Sequence, residues 1–209
     1  PAAGADLLYI CHPEFLEAIQ PLAEWRRTQG MRVAVVSSES IADEFNFGRD
    51  EPEAIRRFLA WTWSEWPKPA PAYVVLVGDA SSKPLADGPA FSRNLISTFY
   101  AEGEDPPAHD DGFVKFLGDG RLPQMMLGRL PVEEPGQLSA VVQKLIAHER
   151  DPLLGPWRGR ILFLVDNDYE DLFGPSIVAE LPPHIDTSRI DVADFPFVDH
   201  YNLAGVKIS

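Results

Sequence analysis

Tyr73-Val74-Val75-Leu76-Val77-Gly78-Asp79 is the stretch on which the fold turns. Five apolar residues, rich in β-branched types, suit a strand buried on both faces, and Gly78-Asp79 stops it abruptly. Working outward, Leu7-Leu8-Tyr9-Ile10 and Met31-Arg32-Val33-Ala34-Val35-Val36 read the same way. Between those two runs, Phe15, Ile19, Leu22 and Trp25 recur at helical spacing until Gly30. Pro13 suits a first helical turn, and Pro21 is placed to kink this helix or split it in two. Asp50-Glu51-Pro52-Glu53 opens another helix, with Ile55, Phe58, Leu59 and Trp63 on one stripe. Strands alternating with helices predict an α/β fold, a parallel sheet with helices on both faces. Ligands of such sheets bind beyond the carboxyl ends of the strands, so the loop from Ala80 to Asn94 is placed to line a site.

Beyond this loop the pattern changes. Glu102, Glu104, Asp105, Asp110 and Asp111 fall in one stretch with Pro106-Pro107 and no basic residue. Phe113-Val114-Lys115-Phe116 and Gln124-Met125-Met126-Leu127 flank Gly118-Asp119-Gly120, which predicts a hairpin-like pair. Pro135 to Arg150 reads as an amphipathic helix carrying Leu138, Val141, Val142, Leu145 and Ile146. Ile161-Leu162-Phe163-Leu164-Val165 is a further buried strand ending in Asp166-Asn167-Asp168, then a helix near Ser176–Leu181 and a strand near Ile190–Val192. Proline and glycine near Asp151–Trp157 mark the boundary between an N-terminal α/β subdomain, residues 1–150, and the opening part of a second subdomain, residues 151–209.

A net charge of −14 argues against a surface built to grip nucleic acid through its phosphates. No apolar run approaches the roughly 18 residues of a membrane span. The one cysteine, Cys11, excludes an internal disulfide and a cysteine-rich zinc site. At the end of an apolar strand it reads as a small core residue, with neighbouring His12 directed to the other face of the sheet.

Four stretches, in this order, resemble the gingipain-type cysteine peptidase family. They are His12-Pro13-Glu14-Phe15, the 73–79 segment, Asp119-Gly120-Arg121-Leu122-Pro123, and Leu127-Gly128-Arg129-Leu130-Pro131-Val132. The likeness runs from about Asp6 to Val206. It implies a caspase-like fold in two subdomains and cleavage of peptide bonds by a cysteine thiolate and a histidine, with no cofactor required for the chemistry. It also implies a secreted or cell-surface setting and peptide or protein substrates, met by the complete domain. The family's catalytic histidine lies in a Gly-His-Gly and its cysteine ends the following strand. None of His12, His109, His148, His184 and His200 has flanking glycines. The expectation is a chain truncated before the catalytic His and Cys, inactive by itself, with the rest of the catalytic domain downstream. The alternative is a degenerate, non-catalytic interaction or assembly module of the same fold.

The resemblance places Asp168, with Asp166 as the near alternative, where the family has the acid that orients its histidine. A carboxylate there fixes the imidazole tautomer and stabilises the imidazolium. The other reading is a solvated, turn-forming Asp-Asn-Asp. Asp171 stands near the position that receives a basic substrate side chain in arginine-specific members, although acids also suit helix N-termini without any substrate. Glu102, Glu104, Asp105, Asp110 and Asp111 are the candidate ligands for Ca2+, which family members bind, and a solvated acidic loop is the competing reading. Arg129, isolated at the end of an apolar strand, reads as a buried ion-pair partner.

Overall fold

The computed structural model describes residues 4–81, 93–101, 108–117, 122–165, 175–191, 200–201 and 207–208, in two compact units that divide at Asp151/Pro152. The first unit is built on four parallel strands: β1 (Leu7–Cys11), β2 (Val33–Ser37), β3 (Tyr73–Val77) and a later strand over Met126–Leu130. Their order across the sheet is β2, β1, β3 and then that later strand. β1 lies between two neighbours, and all five of its residues are buried.

Alternation along the strands splits this interior into two cores. Leu8, Ile10, Val74 and Leu76 face one side, where α2 (Ser38–Asn46) and α3 (Pro52–Glu65) bring Ile41, Ala42, Ile55, Phe58 and Leu59. Leu7, Tyr9, Cys11 and Val77 face the other, covered by α1 (Gln20–Thr28) and α4 (Pro135–Arg150) through Leu22, Ala23, Leu138 and Val142. Burying a side chain such as Leu8 or Ile10 contributes about 1.5–3 kcal/mol each, which makes β1 the strand least tolerant of truncation.

Pro21 divides the first helical segment in two. Pro13–Phe15 forms a single 3-10 turn, and α1 starts afresh at Gln20 with Pro21 in its first turn. Gly30 closes α1 in the left-handed region (φ +89). α4 runs over the predicted residues, and Glu134 and Gln137 form a reciprocal capping box at its start.

Three departures from the sequence expectations have physical causes. No element was assigned between Val36 and Asp50, yet α2 forms there. Its Ser, Asp, Glu and Asn content reads as a loop, and burial of Ile41 and Ala42 overrides that preference. Phe113–Phe116 does not pair as a strand. Asp110–Phe113 is a 3-10 turn with Phe113 fully buried, and the side-chain carbonyl of Gln124 accepts the Phe116 and Leu117 amides. The downstream half of the expected hairpin belongs to the edge strand of the sheet, with Leu127 opposite Val74 of β3. Numbered in chain order, the antiparallel pair in this region is β4 (Phe99–Tyr100) with β5 (Ala108–His109), and the edge strand Met126–Leu130 is β6.

The second unit holds β7 (Arg160–Val165), α5 (Pro175–Ala179) and β8 (Asp186–Asp191), with β7 and β8 parallel. A two-residue antiparallel pair, β9 (His200–Tyr201) and β10 (Lys207–Ile208), follows. Leu162 and Leu164 are 55% and 72% exposed, which corrects the expectation of a strand buried on both faces. The apolar run suits two covered faces, whereas the described residues of this unit contribute one five-residue helix. No helix among the described residues is long and apolar enough to cross a membrane.

α1 and α4 are also joined by charge. The Arg26 guanidinium donates to both carboxylate oxygens of Glu149, and the Trp25 indole N–H donates to Glu149 Oε2 at 2.7 Å. The Arg26 hydrogen bonds hold the Glu149 carboxyl at about 2, against the opposing effect of burial and with help from Trp25. A depressed carboxyl stabilises the fold above its unfolded value of 4.5 and loses that contribution as pH falls through about 2. Glu149→Gln is expected to cost about 1 kcal/mol at neutral pH. In urea titrations the gap between the two proteins should hold down to about pH 4.5 and close near pH 2.

Candidate functional site

Strands β1 and β2 run to one side of the sheet and β3 and β6 to the other, so the chain reverses direction across the sheet between β1 and β3. The crevice beyond the carboxyl ends at such a reversal is where open parallel sheets place ligands. Here it is bounded by Cys11-His12 from β1 and by Gly78-Asp79 from β3.

Gly78 is required by backbone geometry. Its φ of +145 lies where side-chain-bearing residues are strained, and an added Cβ would stand 3.2 Å from both Ile96 Cγ1 and Leu95 Cβ. This close approach lets the following residues knot together. Asp79 N–H donates to the Val132 carbonyl, and the Asp79 carbonyl accepts the Leu95 and Ile96 amides, each near 3.0 Å. The loop leaving β3 therefore returns to its own start. Asn94 strengthens the neck, accepting the Ser81 amide and donating to the Ser97 hydroxyl at 2.8 Å. Arg93 ties it outward with two bonds to the Glu14 carboxylate and one to the Glu133 carbonyl.

Arg129 fixes the same neck from β6. Nη1 donates to the carbonyls of Gly78 (2.8 Å) and Ile96 (2.9 Å), while Nε and Nη2 grip both oxygens of Asp110 at 2.8 Å. The Thr98 hydroxyl donates to Asp110 Oδ1 at 2.6 Å. Burial pushes the Asp110 carboxyl up, but the Arg129 guanidinium and the Thr98 hydroxyl outweigh it, and the net shift is downward. Arg129 is thus the ion-pair partner that its place in an apolar strand suggests. That its acid is Asp110, 19 residues upstream, has no local signal in the sequence.

Asp110 and Asp111 accordingly serve cations of the protein itself. Asp111 accepts from Lys115 and lies 2.8 Å from His109 Nδ1. Among the described residues no group of three or more His, Cys, Asp and Glu side chains could hold a metal ion. Glu102, Glu104 and Asp105, the other candidate ligands, lie outside the described residues, as do Asp166, Asp168 and Asp171.

Cys11 is fully buried among Tyr9, Phe15, Ile19 and Val77. Burial pushes its thiol up to about 12, which disfavours the thiolate at neutral pH. His12 follows it on the strand with Nδ1 buried and without a hydrogen-bond partner among the described residues. The aromatic cluster of α3 is mainly packing: Trp66 is buried, and Trp61 stands tilted against Phe45 with 42% of its surface exposed.

The sequence model of peptidase family C25 matches residues 1–206. Among solved structures, the chain is similar to dimeric latent PorU from Porphyromonas gingivalis, with 26% identity and a TM-score of 0.58 over 74% of this chain. It is also similar to a protease structure (20% identity, TM-score 0.59, 78% of this chain) and to the complex of RgpB pro- and mature domains from the same bacterium (20% identity, TM-score 0.56, 77%). The last two likenesses bear on fold alone. The chain spans 16%, 32% and 33% of the lengths of these three structures. No curated protein sequence matches it.

Two measurements check this site. Arg129→Met removes the guanidinium and strands Asp110 beside two unpaired carbonyls, so it should destabilise the protein by about 3 kcal/mol in denaturant titration, with Asp110→Asn milder. Cys11 should resist alkylation by iodoacetamide in the native protein at neutral pH and react readily once unfolded in guanidinium chloride.

Proposed function

Because the chain belongs to peptidase family C25, we propose that its fold serves peptide-bond hydrolysis by a cysteine–histidine mechanism, and that these 209 residues supply its framework and not its nucleophile. The observation that carries the second half is Cys11. It is the one cysteine of the sequence, and it is buried with its thiol raised to about 12. Attack on a peptide carbonyl needs a thiolate, and an imidazole within hydrogen-bond reach to handle the proton. Neither a Gly-His-Gly nor an accessible thiol stands in this sequence, and on this reading both groups come from outside these residues.

On this reading the knotted carboxyl edge of the first unit is part of the frame around the cleft. Asp168, with Asp166 as alternative, is the acid that would hold the histidine in its working tautomer. Asp171 would meet a basic substrate side chain. The substrates are peptides or proteins, and a secreted or cell-surface setting follows from the same reading. Calcium, if the complete domain takes it, would rely on Glu102, Glu104 and Asp105 more than on the ion-paired Asp110 and Asp111.

The purified chain, at high concentration and under reducing conditions, should show no turnover of arginyl or lysyl peptide reporters. Thiol-sensitive turnover that disappears in Cys11→Ala would overturn the assignment of Cys11 to the core.

A further inference from the structure

Where α1 and α4 meet over the sheet, the first unit does not fill its own interior. A cavity of about 400 Å3 lies between Leu7, Tyr9 and Val75 on the strands and Leu22, Arg26 and Leu145 on the helices. Packed interiors leave few voids larger than a water molecule, whereas small-molecule pockets measure about 300–1,000 Å3. The space is therefore the size of a ligand site. It arises from the way the two helices are joined. At this level the Arg26–Glu149 pair and the Trp25 indole span the gap that Ala23, Leu138 and Val142 fill elsewhere. Tyr73, 44% exposed, lines the cavity where it meets solvent and leaves a way in.

Tyr9 carries the polar chemistry of this cavity. The residue is 2% exposed, and the Arg26 guanidinium donates to its hydroxyl oxygen. A phenol also has a proton of its own to give, and no described residue accepts it. Burial raises the Tyr9 phenol above its usual value, against the opposing effect of Arg26, so the proton stays in place at neutral pH. Buried tyrosine hydroxyls ordinarily find a partner. Water is a poor one here, because it needs two to four polar neighbours and the walls are mostly apolar.

The charge of Arg26 is already spent. Both Glu149 oxygens and the Gln29 side-chain carbonyl take its donors, so an anionic ligand would meet the Glu149 carboxylate without gaining a free cation. We propose that the cavity binds a small neutral molecule, apolar over most of its surface, whose one carbonyl-type oxygen accepts the Tyr9 hydrogen bond. Leu7 and Tyr73 begin β1 and β3, so this site lies at the amino ends of the strands, opposite the carboxyl edge. It belongs to the first unit and is independent of the peptidase reading.

The probes are 2-acetylnaphthalene and 2-ethylnaphthalene, alike in shape but with a carbonyl only in the first. Each is titrated into the 15N-labelled full chain and followed by amide shifts. The parent should bind the acetyl compound about three- to tenfold more tightly, the difference made by one hydrogen bond. Tyr9→Phe keeps the ring and should bind the two compounds equally, with the ethyl affinity unchanged. Val75→Phe and Leu145→Phe, which fill the space from the sheet and from α4, should each lose both compounds while keeping the parent's circular dichroism. No binding of either compound to the parent would overturn the proposal. So would an acetyl preference that survives in Tyr9→Phe, since the hydroxyl would then play no part. Self-association of the parent that Val75→Phe abolishes would overturn it as well, and make the occupant a second copy of this chain.

Discussion

One guanidinium organises the carboxyl edge of the sheet. Arg129 lies one residue before the end of the edge strand, and its donors reach two backbone carbonyls of the loop leaving β3 and both oxygens of Asp110. The two carbonyls belong to residues that the parallel ladder does not satisfy. Asp110 begins the 3-10 turn that sends Phe113 into the core beneath α3. The interaction therefore couples a strand end, a loop neck and a core aromatic, three features far apart in sequence. A hydrophobic contact could not replace it, since it would leave those carbonyls and the carboxylate without donors. The Arg129 side chain is 11% exposed and that of Asp110 31%, so solvent screens the pair only in part.

The same edge explains which parts of the architecture are legible in the sequence. β1, β3 and α4 are read directly because burial on both faces of a strand, and a stripe on one face of a helix, leave strong periodic signals. α2 leaves no such signal, because nine residues containing two serines, two glutamates, an aspartate and an asparagine carry only Ile41, Ala42 and Phe45 to the core. The predicted hairpin fails for a related reason. The apolar residues of Phe113–Phe116 beside a glycine-rich turn suit a strand, but burial of Phe113 and the Gln124 side-chain bonds select a turn. In the second unit, the run over β7 specifies a strand correctly, while the exposure of Leu162 and Leu164 depends on neighbours that a single strand does not encode.

At the candidate site the limit is of another kind. Cys11 is legible as core because a lone cysteine at the end of an apolar strand has little else to be, and its buried thiol agrees. The acids read as a calcium stretch are less legible. Charge count alone does not distinguish a metal loop from a set of ion-pair acceptors, since both are rich in carboxylates. Asp110 and Asp111 become ion-pair acceptors only once Arg129 and Lys115 are brought beside them, one by sheet pairing and one by a turn.

A frame of this type separates rigidity from chemistry. The first unit commits polar groups at its carboxyl edge to holding loop ends in place, through Gly78, Asn94, Arg93 and Arg129, while burial in the apolar core holds its thiol in the protonated form. A thiolate needs a partly solvated, electropositive surrounding to form. The packing that makes β1 the most buried strand is the opposite surrounding. A residue in the position of Cys11 could become a nucleophile only by opening the contacts of Phe15, Ile19 and Val77 around it. The stability of the sheet and the reactivity of this cysteine are therefore mutually exclusive, and the fold has resolved the conflict in favour of the sheet.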